Sequence, residues 1–470
     1  MNAQLAPPPM PDLAGLLARQ RASHAANPPD YAQRIDDLKR LRAAFKARLP
    51  ALVDAVSADF GRRSRHETLV ADGMTVLHDL DYAIAKLRHW MKPQAARVGT
   101  TFWPARAEIR YQPLGVIGVI SPWNYPINLG VMPVAAALAA GNHVMLKPSE
   151  ATPRTAAALR ALFASLFPEE RVALVEGEAE IAAAFSALPF DHIFFTGSTA
   201  VGRLVMQAAA KNLVPVTLEL GGKSPAILAP DFPVDTFASR IASGKFFNAG
   251  QTCIAPDYVL LPRRQIEPFV GALRDAVVRA YDVPGASADY TSVVNERQYA
   301  RLVRYLDDAR QRNAKVVELA PGDAARRALA PTVVVDAPDD ALVMREEIFG
   351  PILPVVACES VDAAIDYVNA RPRPLALYHF DHDAARTERV LERTVAGGVT
   401  VNDTMLHFAQ AELPFGGVGP SGIGAYHGYE GFRTFSKAKP VMYQARFPGS
   451  AFITPPYGKL ADALVKFLTR

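Results

Sequence analysis

A chain of 470 residues exceeds what one ordinary hydrophobic core accommodates, so two or three domains are expected. Half of the residues are apolar and 21% are charged, and a net charge of +4 without any polybasic block excludes nucleic acid as the default partner. Two cysteines, Cys253 and Cys358, exclude a disulfide framework and a Cys/His zinc site; no metal is expected and a reducing compartment fits best.

The opening MNAQLAPPPMPDL has neither the basic nor the apolar region of a signal peptide. The most apolar run, LGVMPVAAALAAG (129–141), is broken by Pro133 and is too short to span a bilayer, so a soluble cytoplasmic protein without a membrane anchor is expected. Residues 11–95 have helical periodicity: Leu13, Leu16 and Leu17, then Leu38, Leu41, Phe45 and Leu49. Val116–Ile120 is a β-rich run, followed by a Pro-Trp-Asn loop and an Ala-rich helix that ends at Gly141, where a helix C-cap favours left-handed geometry. HVMLK (143–147), RVALVEG (171–177) and DHIFFTG (191–197) are further strands separated by helical stretches. Such alternation argues for a parallel, doubly wound α/β sheet.

The second half repeats the alternation. VPVTLEL (214–220) leads to GGKSPAIL, a helix is predicted over 234–248, and YVLLP (258–262) is again a strand. Helices over 264–281 and 295–312 precede the strands TVVVD (332–336) and ILPVVACE (352–359). The fold class is therefore α/β, with two doubly wound domains meeting near residue 218. FRTFSKAKPVMYQARFP (432–448) suggests a β-ribbon. The terminal GKLADALVKFLTR is a short amphipathic helix whose Leu460, Leu464, Val465 and Leu468 share one face, which more often docks on a protein surface than on a membrane.

Five motifs carry candidate chemistry. In HIFFTGSTAVGRLVM (192–206) a strand runs directly into Gly197-Ser198 and, at Gly202, a helix; this is a phosphate cradle or an ordinary tight βα turn. Lys147 of VMLKPSE ends an apolar strand and could hold a ribose or phosphate, with Glu150 accepting from ribose; alternatively, the lysine snorkels and the glutamate favours a helix N-terminus. Glu219 of LELGGKSP either faces solvent by strand alternation or is partly buried with a raised pKa, which would suit a general base. Cys253, in FFNAGQTCIAPD, lies at a helix–loop junction where a thiol is accessible as a nucleophile. EEIFGPILPVV (346–356) is a strand entry with an acidic pair. The glycine-rich GVGPSGIG (417–424) follows no strand and is predicted as a loop, and Cys358 is predicted to pack in a strand.

SPWNYP, LKPSE, FTGSTAVG, LELGGKSP, GQTC and EEIFGP occur in this order over some 230 residues, and the series resembles the NAD(P)-dependent aldehyde dehydrogenase superfamily. The resemblance runs from about residue 108 to 437. It implies that Cys253 attacks the aldehyde carbon, the Asn124 amide holds the oxyanion, and Glu219 activates the hydrolytic water. It implies NAD or NADP as cofactor, with Lys147 and Glu150 at the adenosine ribose and the Gly197–Ser198–Gly202 segment facing the pyrophosphate. Glu347 and Phe349 would then position the nicotinamide ribose and ring. The domain division implied is a cofactor domain over 1–95 and 119–218, a catalytic domain over 219–430, a β-ribbon oligomerisation element from 96–118 and 431–450, and a tail helix over 451–470.

GKFFNAGQTCIAPDYVL, LPFGGVGPSGIGAYHGYEGFRTFSK and the short chain look like the branch that oxidises aromatic and medium- to long-chain aldehydes. Within it, YQPLGVIGVISPWNYPINL, VNDTMLHFAQAELPFGG and PPYGKLADALVKFLTR are similar to bacterial coniferyl aldehyde dehydrogenases. This implies coniferyl aldehyde or a related cinnamaldehyde as the small-molecule partner; a medium-chain fatty aldehyde enzyme and a non-catalytic protein of the same fold are the alternatives. Trp123, Tyr125, Phe408 and Phe452 are the candidate pocket walls. Dual use of NAD and NADP, and a homodimer paired through the β-ribbon, are expected of this branch.

Overall fold

The structure, a computed structural model, describes residues 11–469. Its N-terminal part consists mainly of the helices Leu13–Ala26, Tyr31–Phe60 and Thr75–Trp90. Asp12 and Asp30 cap the first two by accepting the N–H groups of Gly15 and Gln33, each satisfying a donor that the first helical turn leaves free. Leu38, Leu41, Phe45, Leu52 and Val56 form the buried stripe of the long second helix. The third helix is entered through a π-helical turn, Leu69–Met74, which carries the buried Asp72. Single π turns of this kind are frequent near functional sites.

Two doubly wound sheets and a ribbon follow. The first sheet has the order Gly422–Ile423, Val216–Glu219, His192–Thr196, Val116–Ile120, His143–Lys147, Val172–Leu174, and all but the first are parallel. Val116–Ile120, His143–Lys147 and His192–Thr196 are buried at every residue, which explains their unbroken apolar runs. Strand order reverses at Val116–Ile120, so the carboxyl ends of the three central strands line the crevice where such sheets take ligands. The second sheet has the order Lys315–Glu318, Thr332–Val335, Ile352–Ala357, Tyr258–Leu261, Pro225–Leu228, Ala376–Phe380, Gly398–Val401, with only Lys315–Glu318 antiparallel. The ribbon pairs Arg106–Pro113 with Ser436–Tyr443 over eight residues and with the shorter Gln94–Ala96. The fold is thus α/β, two doubly wound sheets with an antiparallel ribbon.

Two expectations are corrected here. GVGPSGIG is not wholly a loop: Gly422–Ile423 pairs with Leu218–Glu219, which closes the edge of the first sheet. Gly422 has φ +156, and a Cβ there would press on the Leu218 carbonyl, so glycine is needed for this close approach. Cys358 lies one residue beyond Ile352–Ala357 and is half-buried, with its Sγ 3.5 Å from the Ser360 carbonyl. In the tail helix Lys459–Leu468, Ala461 is buried while Leu460, Val465 and Leu468 are exposed. No helix among the described residues is long and apolar enough to cross a membrane.

Asp79, on Thr75–Trp90, is buried, its Oδ1 has no hydrogen-bond partner among the described residues, and burial pushes its pKa up to about 7. Between pH ~4 and ~7 the unfolded chain has lost this proton while the folded chain keeps it, so stability falls as pH rises through that window. Asp79→Asn removes the ionisation. We expect it to raise the thermal midpoint at pH 8 and to flatten the decline between pH 5 and 8, an effect on the order of 2–4 kcal/mol. Scanning fluorimetry that gives both proteins the same pH slope overturns this.

Candidate active site

The helix Val234–Phe246 stops two residues earlier than its periodicity predicts, because Asn248, Ala249 and Gly250 take left-handed backbone angles (φ +52, +51 and +71). Left-handed geometry costs a non-glycine residue roughly 1–2 kcal/mol, and persists only where the surroundings over-determine it. Gly250 permits close contact: a Cβ there would collide with the Gly350 carbonyl, so the GQTC and EEIFGP segments meet backbone to backbone. Gln251, fully buried, then ties the turn down. Its Nε2 donates to the carbonyls of Asn248 (3.0 Å) and Ser292 (3.1 Å), and its Oε1 accepts the Val294 N–H (2.9 Å). Cys253 follows, half-buried.

Asn124 lies alongside. Its Nδ2 donates one hydrogen to the Gln251 carbonyl at 3.2 Å, which leaves a second hydrogen for another acceptor. Its own carbonyl accepts from Arg63 Nη1 (2.8 Å) and Asn248 Nδ2 (3.1 Å). Arg63 is held in turn by Asp72 of the π turn, 3.1 Å away, and both side chains are fully buried. A pair buried this completely costs much to break, so Asn124 is fixed from behind. Tyr125 is buried beneath the loop with its hydroxyl 2.6 Å from Thr252 Oγ1, so its polar atom supports the residue before the nucleophile.

Three acidic groups share this volume. Burial, with Glu347 and Glu219 nearby, pushes the Cys253 thiol up to about 12, while the N–H groups of Cys253 and Ile254 draw it down. Glu219 ends its strand only 2% exposed. Both of its carboxyl oxygens lack hydrogen-bond partners among the described residues, and burial holds its pKa well above the usual range. This decides between the two readings of its strand position in favour of the buried one. Glu347 leans on Gly221, has its Oε1 unpartnered, and is pushed up to about 8 by burial. Its segment is clamped by Arg301, which donates to the carbonyls of Glu347 (3.3 Å), Ile348 (2.8 Å) and Phe349 (3.4 Å). Asp257 accepts the Ile348 N–H at 3.0 Å and pairs with Lys223. Phe349, at φ +48, meets the Trp123 ring edge-on with centroids 5.3 Å apart.

At the carboxyl edge of the first sheet, Lys147 is buried, with its Nζ 2.9 Å from the Pro148 carbonyl and 3.6 Å from the exposed Glu150 carboxylate. Ser121 Oγ and Thr196 Oγ1, beyond and at the ends of adjacent strands, are buried without partners. Ser198 caps the helix Thr199–Ala210 by accepting the Val201 N–H. Gly197 donates to the Glu219 carbonyl at 3.0 Å, joining the turn to the strand that bears Glu219. Gly202 is buried within the helix, and a Cβ there would press on Leu220, so it serves helix-to-sheet approach. Phe408 packs edge-on against Phe415 and His427, with centroids 4.8 Å from each. The Phe452 side chain lies outside the described residues. His192 and His407 are buried and bonded to Thr217 and Thr400, and His143 is buried against His24.

The sequence profile of the Aldehyde dehydrogenase family matches residues 17–441. The chain belongs to this family. A probable coniferyl aldehyde dehydrogenase of Pseudomonas aeruginosa is 53% identical over 96% of this chain and 95% of its own. A coniferyl aldehyde dehydrogenase of Pseudomonas sp. is 47% identical over 97% and 96%. Among solved structures, the substrate-bound Staphylococcus aureus AldH superposes with a TM-score of 0.93 at 35% identity, covering 97% of this chain and 99% of that one. A Mycobacterium tuberculosis aldehyde dehydrogenase complexed with NAD+ gives 0.84 at 28% identity, covering 94% and 92%. As an aldehyde dehydrogenase the protein is an oxidoreductase. The supporting groups of this aldehyde dehydrogenase (Arg63, Asp72, Asp257 and Arg301) escape a motif reading, because each acts on backbone atoms far away in the chain. Lys245 escapes it too: it is fully buried with Nζ unpartnered, and burial lowers it to about 8 despite nearby Asp257 and Glu347.

Proposed function

We propose that this aldehyde dehydrogenase oxidises coniferyl aldehyde, or a closely related aromatic aldehyde, to the carboxylic acid with NAD or NADP. The observation that carries the chemistry is the convergence of a half-buried thiol at Cys253 with the partnerless carboxylate of Glu219 and the Asn124 amide. The names of relatives 47–53% identical over nearly the whole chain support the substrate.

The chain's residues suit the cofactor. Three buried carboxyl oxygens beside the thiol, two on Glu219 and one on Glu347, have no hydrogen-bond partner among the described residues, and a cationic ring there would offset the burial that keeps both groups protonated. Lys147 and Glu150 would hold the adenosine ribose, the Gly197–Ser198 end of the turn would meet the pyrophosphate, and Glu347 with Phe349 would orient the nicotinamide ribose and ring. Bound NAD(P)+ supplies the hydride acceptor. Cys253, as thiolate, adds to the aldehyde carbon. The oxygen that becomes negative is held by the free Asn124 Nδ2 hydrogen and the Cys253 N–H, donors already in place before charge develops. Loss of hydride restores the C=O bond and leaves a thioester on Cys253. Glu219 takes a proton from the water that attacks this thioester, and the acid departs as the thiolate is regenerated. Trp123, packed on Phe349, would form one aromatic wall of the pocket.

The remaining reading follows the branch. Residues 1–95 and 119–218 form the cofactor domain and 219–430 the catalytic domain of a cytoplasmic homodimer. Among the described residues the strand Ser436–Tyr443 pairs on one edge, which leaves a second edge for association. Light scattering is expected to give about twice 50.8 kDa; a monomer mass removes the dimer.

The substrate assignment is tested by kcat/KM for coniferyl aldehyde, benzaldehyde, hexanal and decanal with each cofactor. Coniferyl aldehyde is expected to lead decanal by about tenfold or more, since apolar pockets discriminate by roughly 1–3 kcal/mol. Decanal ahead of coniferyl aldehyde overturns the assignment in favour of a fatty aldehyde enzyme.

A further inference from the structure

We propose that Glu67 is a positioning residue for the nucleophile loop, its buried carboxylate fixing the left-handed turn that aims Cys253 and Asn124 at one carbonyl. It touches none of the reacting atoms. Glu67 Oε2 accepts the Asn248 N–H at 3.0 Å and the Thr291 hydroxyl at 2.6 Å. The hydroxyl is itself oriented, because it accepts the Ser64 N–H at 3.2 Å and so directs its hydrogen to Glu67.

After the helix Val234–Phe246 and its cap Phe247, Asn248 is the first residue to turn left-handed. Its side chain is the hub of the site: Nδ2 donates to both the Asn124 carbonyl and the Gln251 carbonyl at 3.1 Å. The same Gln251 carbonyl receives the Asn124 amide. A shift of the Asn248 backbone therefore moves the oxyanion donor and the thiol together. Gln251 anchors the far end of the turn to Ser292 and Val294, whereas Glu67 anchors its near end. Two consecutive strained non-glycine residues need both.

The Glu67 carboxylate is costly to bury, and its neighbours offset that cost only in part. Burial pushes it up to about 7, against the pull of Arg63, Thr291 and the Asn248 N–H, and Asp289 adds to the push. Tyr281 and Tyr290 also face it. What the turn uses is the acceptor oxygen, which takes the Asn248 N–H and the Thr291 hydroxyl at once.

The inference rests on Cys253 as nucleophile, so the test reads the loop both with and without turnover. Glu67→Ala is expected to lower kcat about 10²-fold, as a small misplacement of reacting groups does. It is expected to change Cys253 alkylation by iodoacetamide several-fold, and to leave NAD+ affinity, followed by intrinsic fluorescence, within twofold. Glu67→Gln retains an acceptor oxygen and is expected to recover kcat to within about fivefold. If the alanine variant fails to fold, Glu67→Asp, which falls short of Asn248 by one methylene, is expected to lose about tenfold in kcat. The inference is overturned by alanine or aspartate variants with wild-type kcat and alkylation rates, or by a glutamine variant as impaired as alanine. Oxidation persisting in Cys253→Ala instead sinks the nucleophile assignment.

Discussion

Cys253→Ala is expected to reduce aldehyde oxidation by about 10⁴-fold or more, the scale seen when a covalent nucleophile is removed. The loop that presents the thiol is held by hydrogen bonds of Glu67, Gln251, Tyr125 and the Arg63–Asp72 pair, none of which is made to the Cys253 side chain. The variant is therefore expected to fold and to bind NAD+ within a factor of about two of wild type. The thiol also explains a second result. With its pKa pushed up to about 12 by burial and two neighbouring carboxyls, the thiol of the free protein stays protonated at pH 8. Alkylation by iodoacetamide is expected to be slow at first and to accelerate when NAD+ is added, as positive charge reaches the Glu219–Glu347 side of the thiol. The half-buried Cys358 gives the background rate, and Cys253→Ala removes the responsive fraction. Production of NADH by Cys253→Ala at even a tenth of the wild-type rate ends the assignment.

Much of this site is legible in the sequence because its parts lie where strands end. Lys147, Thr196 and Glu219 each close a buried parallel strand, and runs such as HVMLK and HIFFT announce both the strand and its carboxyl end. The elements that escaped are set by contacts distant in sequence. Gly422–Ile423 is only two residues long and set among glycines, too short to announce a strand, and it pairs with Leu218–Glu219 because Gly422 adopts a backbone that brings the two segments together. The helix before Cys253 keeps its periodicity to residue 248, yet ends at Phe246 because Glu67 and Gln251 capture the groups that would have continued it. Tyr125 illustrates a different limit. An aromatic residue beside Asn124 suits a pocket wall, but its hydroxyl meets Thr252, and a buried phenol settles where that bond is made. Gly202 belongs to the glycine turn by spacing and to the helix–Leu220 contact by packing.

Glu219→Gln is expected to leave the first half of the reaction intact and stop the second. The substitution preserves shape and removes only the ability to take a proton. It is expected to give a burst of about one NADH per active site, followed by turnover slowed by about 10²–10⁴-fold, the range attributed to a positioned general base. The environment sharpens the prediction. Glu219 has no hydrogen-bond partner and burial keeps it protonated well beyond the normal carboxyl range, so it resembles glutamine in the resting protein and the variant is expected to fold unchanged. Its neutral form is favoured in the folded state, so ionisation costs stability as pH rises, and Glu219→Gln is expected to be the more stable protein on the alkaline side. The base, by contrast, works only once ionised. Wild-type kcat is therefore expected to climb with pH while thioester hydrolysis is limiting, and the climb is expected to vanish in the variant. Stopped-flow absorbance at 340 nm on both proteins, across pH 6 to 10, reads burst and slope in one series. Sustained wild-type turnover by Glu219→Gln, without a burst, would mean that another group deprotonates the water.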